Sequence, residues 1–234
     1  MRKIILFICV VLFVVRISWG QNGPIDSLRA DFDKLYGLDV LLINGKKYFP
    51  DSNPISGHPF WRSKDPFLAD LTISGKTFKG QSIKYNLNKQ EFLLFYTNYN
   101  GQQVQIILNT SAIDSVNTGM YKFVPSVFPE IKQQFVQLIY QGQLSCYIGW
   151  YKEIHSNSFG PNVGLEYTKD YRIYYLAYKG SVYRFTNKSS FLRIFNSTER
   201  VPIKKYITSN RFRFKKMDEN NLIKLIMYCE KTVM

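Results

Sequence analysis

Two short stretches of this 234-residue chain carry side chains able to do chemistry. The first is Gly57-His58-Pro59-Phe60-Trp61-Arg62, which sets an imidazole, two aromatic rings and a guanidinium in one loop. Such a cluster can line a pocket, and loops carry function more often than strands do. A hydrolase would use His58. That chemistry needs a partner for the imidazole: a nucleophile, a carboxylate or a second histidine. The stretch supplies none, and His58 and His155 are the only histidines in the chain. The loop therefore reads first as a plug, with Phe60 and Trp61 closing one end of a sheet and His58 making a structural hydrogen bond. Neither histidine stands at metal-ligand spacing from a second ligand-type residue, which argues against a metal site. No cofactor motif is present.

The second stretch is Arg211-Phe212-Arg213-Phe214-Lys215-Lys216. If extended, it turns Phe212 and Phe214 to one side and the cations to the other. Basic–aromatic alternation suits a single-stranded nucleic-acid platform, where rings stack on bases and arginines hold phosphates. It suits equally two phenylalanine plugs in an apolar core, with the cations left in solvent. The plug reading is preferred, because the chain carries an export signal and an exported protein rarely meets nucleic acid. What survives as function is one cationic patch of Lys204, Lys205, Arg211, Arg213, Lys215 and Lys216. Its partner would be an anionic lipid, a glycan or an acidic protein.

The bulk charge supports that emphasis. Beyond residue 20 the chain holds 28 basic and 17 acidic residues, a net of +11. Residues 21–168 are nearly balanced, at 13 basic and 12 acidic; residues 169–234 hold 15 basic and 5 acidic. Almost all the excess lies in the last 66 residues, and a local field of that sign attracts anions. A solvated cationic face that only keeps the protein soluble is the competing account.

The export signal comes first in the chain. Arg2 and Lys3 precede an apolar run from Ile4 to Val15, and Ser18-Trp19-Gly20 sets small residues before a cleavage point at Gln21. This pattern predicts a signal peptide over residues 1–20, delivery to the periplasm or the exterior, and no transmembrane span after cleavage. An uncleaved anchor is the alternative, and Arg16 interrupts the longer apolar run it would need. Of the three cysteines, Cys146 and Cys229 remain in the mature chain. They are either a disulfide closing a long loop, adding about 4 to 5 kcal/mol by chain entropy, or two buried thiols.

The elements that must position these groups are mostly strands. Polar and apolar residues alternate at Ile83, Tyr85 and Leu87 and again at Val104, Ile106 and Leu108, the period of half-buried strands. Asn100-Gly101 lies between them and predicts a hairpin turn. Val40–Ile43 reads as a buried strand turning at Asn44-Gly45, and Gln134–Tyr140 and Gln143–His155 as strands joined at Gln141-Gly142. A last hairpin is predicted for Tyr171–Tyr178 and Ser181–Phe185, around Lys179-Gly180. Leu28, Phe32, Leu35 and Tyr36 recur at helical spacing, which predicts a short helix before Gly37.

From Asn187 the period becomes helical. One short helix holds Phe191, Leu192, Ile194 and Phe195, capped by Asn187 or Ser189. A second is expected to start at Pro202, with Ile203, Tyr206 and Ile207 inward. A third opens at Asp218-Glu219, with Leu222, Leu225, Ile226 and Cys229 as its apolar stripe.

Several of these motifs, among them Gly57-His58-Pro59-Phe60, Gly75-Lys76-Thr77-Phe78, Ile83-Lys84-Tyr85-Asn86 and Lys204-Lys205-Tyr206-Ile207, resemble exported proteins of Bacteroidota. The resemblance implies an envelope location and a β-rich fold, and brings no activity or catalytic residues. The expected architecture is α+β: one domain over 21–234, with a β-rich core and N-terminal helix over 21–186 and a basic helical cap over 187–234. Its antiparallel sheet is expected to be strongly twisted, with curling toward an open barrel as one outcome of that twist. The leading functional expectation is a non-enzymatic envelope protein that binds anions through the cap. The alternatives are a carrier of a lipid or other hydrophobe in the sheet's concave face, and a hydrolase using His58.

Overall fold

The computed structural model describes residues 38–157 and 164–234. The predicted signal segment and the helix before Gly37 lie outside these residues. Fourteen strands are described: β1 Gly45–Lys47, β2 Ile55–Ser56, β3 Phe67–Ile73, β4 Lys76–Asn86, β5 Glu91–Thr97, β6 Gln103–Leu108, β7 Ile113–Asn117, β8 Lys122–Pro125, β9 Phe135–Gln141, β10 Ser145–Tyr151, β11 Ile154–Asn157, β12 Gly164–Tyr167, β13 Tyr171–Tyr178 and β14 Ser181–Phe185. Three helices follow: α1 Lys188–Leu192, α2 Ser197–Ser209 and α3 Glu219–Val233. This is the α+β arrangement with a C-terminal helical cap.

Eleven strands form one sheet in the order β1-β6-β5-β4-β3-β7-β8-β9-β10-β13-β14, antiparallel at every pairing. The order follows the chain closely because tight turns join most neighbours. Gly75, Gly101, Gly119 and Gly180 supply the positive φ that four of those turns need. Between Phe78 and Ile83 the inward alternation changes phase: Gly80, at φ 62°, sits where the β3–β4 register shifts, and its N–H donates to Asp70 Oδ1 at 2.9 Å. Such a bulge adds twist.

The sheet curls without closing. β4 and β9 are separated by β3, β7 and β8, so a flat sheet would hold them about 19 Å apart. Yet the Tyr85 hydroxyl on β4 donates to the Phe135 carbonyl on β9 at 3.4 Å, and the Phe92 and Phe135 rings stand 4.9 Å apart. Tyr85, Phe92, Phe123 and Phe135 are all fully buried and fill this concave space. Among the described residues, β1 and β14 are the sheet's two edges.

The helices close the other part of the same core. Leu222, Leu225, Ile226 and Cys229 of α3 are buried, as the helical spacing predicts, and Cys146 of β10 is buried too. The two thiols are free. Phe191 of α1 meets Phe185 of β14 edge-on at 5.0 Å.

Three expectations need correction. Val40–Ile43 is a turn, not a strand: the Asp39 carboxylate accepts from Leu41 N–H and its carbonyl accepts from Leu42 and Ile43 N–H. An aspartate that captures the following amides competes successfully with a short apolar run. Only Leu42 of the run is buried, and Gly45, instead of turning, pairs with Leu108 in β1.

Second, residues 143–155 do not form one strand. β10 ends at Tyr151, Lys152 is turned inward, and β11 joins β12 and β2 in a separate three-stranded sheet. Third, α2 begins at Ser197, not Pro202. The Asn196 side chain accepts from Glu199 N–H while the Glu199 carboxylate accepts from Asn196 N–H, a reciprocal cap that outranks proline as a start signal.

Candidate functional site

The cap, residues 187–234, holds 11 basic and 4 acidic residues. The fold treats the two signs differently. Glu199 closes the α2 cap and also accepts from the Tyr178 hydroxyl at 2.7 Å and from Lys179 at 3.3 Å. Burial opposes its charge, but these donors hold its carboxyl below the usual carboxylate range. Asp218 caps α3 by accepting from Asn221 N–H at 2.8 Å. Glu219 accepts from the Gln137 amide at 2.9 Å. Glu230 is buried against the β9–β10 turn, where it accepts from the Tyr140 hydroxyl and from Leu144 N–H. The Tyr140 bond, above all, lowers its pKa, against the opposing effect of burial.

The cations are left outward. Lys204, Lys205, Arg211, Arg213 and Lys215 are exposed, and among the described residues none of them forms an ion pair or a side-chain hydrogen bond. The physical reason lies in the sequence between them. Ile203 and Ile207 of α2 are buried, so Lys204 is turned away from the core. After α2, Arg211 at φ 54° reverses the chain. Phe214 is then buried against Phe185 and Phe191, at 6.2 and 5.5 Å between ring centres, and Phe212 packs on Tyr206 at 5.8 Å. The plug reading of this stretch describes these two rings. Alternation of exposed cations and inward rings is kept although the segment is a turn leading into a 3₁₀ helix, not a strand.

The 212–215 stretch and the start of α1 form a groove of about 400 Å³. Phe212 and Phe214 line it beside Arg213, Lys215, Asn187 and Lys188. Lys188, whose ammonium donates to the Thr208 hydroxyl at 2.7 Å, is a cation that sequence reasoning missed. Thr208 in turn donates to the Lys204 carbonyl one helical turn back, which places Lys204 on the stripe next to Lys188. Lys188, Lys204, Arg213 and Lys215 are thus linked into one region. Lys205 projects about 100° further round α2, and the side chain of Lys216 lies outside the described residues. The one signal for Lys188 was its place next to the helix cap Asn187.

The 57–62 loop lies elsewhere, across the β-core. Trp61 is buried and meets Phe67, Tyr121, Phe123 and Trp150 edge-on, at 5.1 to 6.1 Å. Phe60 bridges to Asn86 and lies under the Lys84 ammonium at 4.8 Å. Arg62, at φ 60°, places its guanidinium 4.5 Å from the Trp61 ring and donates to the Tyr121 hydroxyl, while its N–H donates to Asp170 Oδ2 at 2.9 Å. These contacts make the loop a plug.

His58 differs from expectation in one respect: among the described residues its buried Nδ1 makes no well-formed hydrogen bond, and it is the His58 carbonyl that accepts, from Lys152 Nζ at 2.9 Å. Lys152 also pairs with Asp170 at 3.2 Å. Burial, then the Lys152 cation, lowers the His58 pKa, so the imidazole is neutral at pH 7.

Among the described residues, no group of three or more His, Cys, Asp or Glu side chains is placed to hold a metal ion. No helix among them is long and apolar enough to cross a membrane. Compared with protein-family models, with curated proteins and with solved structures, the chain finds no match.

Proposed function

We propose that this is an exported, non-enzymatic protein that binds an anionic surface through its basic C-terminal cap. One observation carries the reading: among the described residues the cap's four carboxylates are engaged in helix caps and hydrogen bonds, while Lys204, Lys205, Arg211, Arg213 and Lys215 form no ion pair, and two of them, Arg213 and Lys215, flank a groove lined by Phe212 and Phe214. A cation already paired within its own chain contributes little to an external field, whereas unpaired exposed cations act together over a Debye length. Near an anionic membrane each contributes about 1 kcal/mol. The envelope location rests on the signal-like segment over residues 1–20 and on the resemblance to exported proteins.

The carrier alternative draws no support from a concave face filled by Tyr85, Phe92, Phe123 and Phe135. The test is retention on vesicles of phosphatidylglycerol and of phosphatidylcholine in rising salt. Retention is expected on the anionic vesicles alone, and it should fall as the screening length shrinks from about 10 Å at 0.1 M to about 3 Å at 1 M. Binding that ignores salt, or equal binding to both vesicles, would remove the proposal.

A further inference from the structure

The opposite face of the sheet holds a second feature that the cap does not use. On β13, Tyr174, Leu176 and Tyr178 face the helices, so Ile173 and Tyr175 face away from them. There the segment between β8 and β9 folds over the sheet, with Phe128 and Ile131 packed against this second face. Beside it opens a cleft of about 640 Å³, within the roughly 300–1,000 Å³ typical of small-molecule sites.

The inner wall is held rigidly. Gln133 is only 7 % exposed, and its carbonyl oxygen accepts from the Tyr175 hydroxyl at 3.2 Å. Gly149 makes room for it, because a Cβ there would stand 2.6 Å from Gln133 Oε1. The amide nitrogen of this buried side chain donates to no protein group among the described residues, although Gln133 lines the cleft. Gln90 is fixed by donating to Leu87 and Trp150 carbonyls and accepting from Tyr85. The Tyr151 ring, also lining the cleft, is braced by Tyr171 stacked at 5.3 Å.

The rim is charged but balanced. Glu130, Lys132, Glu153 and Arg184 are exposed, and among the described residues none forms an ion pair. Lys152 is committed to Asp170. Two free carboxylates and two free cations attract no net charge. They do offer strong acceptors and strong donors in the same cleft as the Tyr151 ring and the Gln133 amide.

We infer that this cleft binds a short neutral oligosaccharide. Sugar hydroxyls both donate and accept, so they can satisfy carboxylates and cations in the same site. The C–H face of a pyranose packs on an aromatic ring. An anion would meet two carboxylates beside the two cations, and a lipid would cover charged groups without supplying partners for them. The inference is independent of the cap.

The test is a two-dimensional NMR titration of the whole protein with three neutral probes: maltotriose, cellotriose and tri-N-acetylchitotriose. At least one is expected to give saturable shifts at Gly149, Tyr151 and Tyr175, unchanged in about 0.5 M salt, where exposed charges are screened. The double variant Glu153→Gln, Arg184→Gln should weaken that binding about tenfold or more, as expected for losing two charged hydrogen-bonding groups. Arg213→Gln with Lys215→Gln in the cap should leave it unchanged. Shifts absent for all three probes at about 10 mM, a concentration that detects even millimolar affinity, would overturn the inference. So would shifts mapping outside the cleft, or a loss that follows the cap variant.

Discussion

Replacing Lys204, Arg211, Arg213 and Lys215 together by glutamine tests whether the cap is a local electrostatic device or merely part of a cationic protein. All four are exposed and among the described residues make no side-chain hydrogen bond or ion pair, so the folded state should lose nothing by their neutralisation. Surface substitutions of this kind usually stay within about 0.5 kcal/mol. At an anionic membrane each cation is worth about 1 kcal/mol, so the four together should lower partitioning by about 4 kcal/mol, or about three decades. The control is the same charge change placed on the β-core: Lys46, Lys64, Lys79 and Lys122, equally exposed, to glutamine. Vesicle sedimentation at low salt reads both variants, and thermal unfolding confirms that each is folded. The cap variant should lose nearly all retention while the core variant keeps most of it. Equal losses in the two variants would show that net charge alone drives binding and would refute the argument for a built site.

Other outcomes follow from the packing. Gly142→Ala would put a Cβ 2.3 Å from Glu230 Oε1, and moving the carboxylate away from Tyr140 and Leu144 should cost about 2–3 kcal/mol in denaturant unfolding. Because the Glu230 pKa lies below its ordinary 4.5 when folded, its contribution is present above that value and is lost as pH falls through the lowered one. The stability gap between the natural chain and Glu230→Gln, measured by unfolding midpoints from pH 6 downward, should therefore narrow only below about 4.5. Asp170→Asn leaves the Lys152 ammonium buried without its counter-charge and should cost roughly 3 kcal/mol, whereas Lys152→Met, which removes the charge itself, should cost less. Burial raises the pKa of the Cys146 and Cys229 thiols, so a thiol-specific dye should label them only after denaturant is added.

The β-core was legible wherever its signal is local. Alternation at Ile83, Tyr85 and Leu87, glycine at the turns, and the spacing of Leu222, Leu225, Ile226 and Cys229 depend on near neighbours, and the structure keeps all of them. Local signals that competed were read less well. Asp39 overrode the Val40–Ile43 run, and the Asn196–Glu199 cap overrode Pro202, because side-chain bonds to free amides decide where an element starts. The pattern of the 211–216 stretch survived with a different backbone, since burying Phe214 needs only an inward direction, not a strand.

By itself, then, the sequence determined the charge of the cap, the identity of most strands and the apolar stripe of α3, because composition and periodicity are properties of adjacent residues. Tertiary structure alone decided three things. It curled the sheet until Tyr85 reached Phe135, it brought Glu199 to Tyr178, Glu219 to Gln137 and Glu230 to Tyr140, and it joined Lys188 to Arg213 and Gln133 to Gly149. These meetings join residues distant in the chain, set by twist, bulges and packing summed over the whole sheet, and no local pattern records that sum.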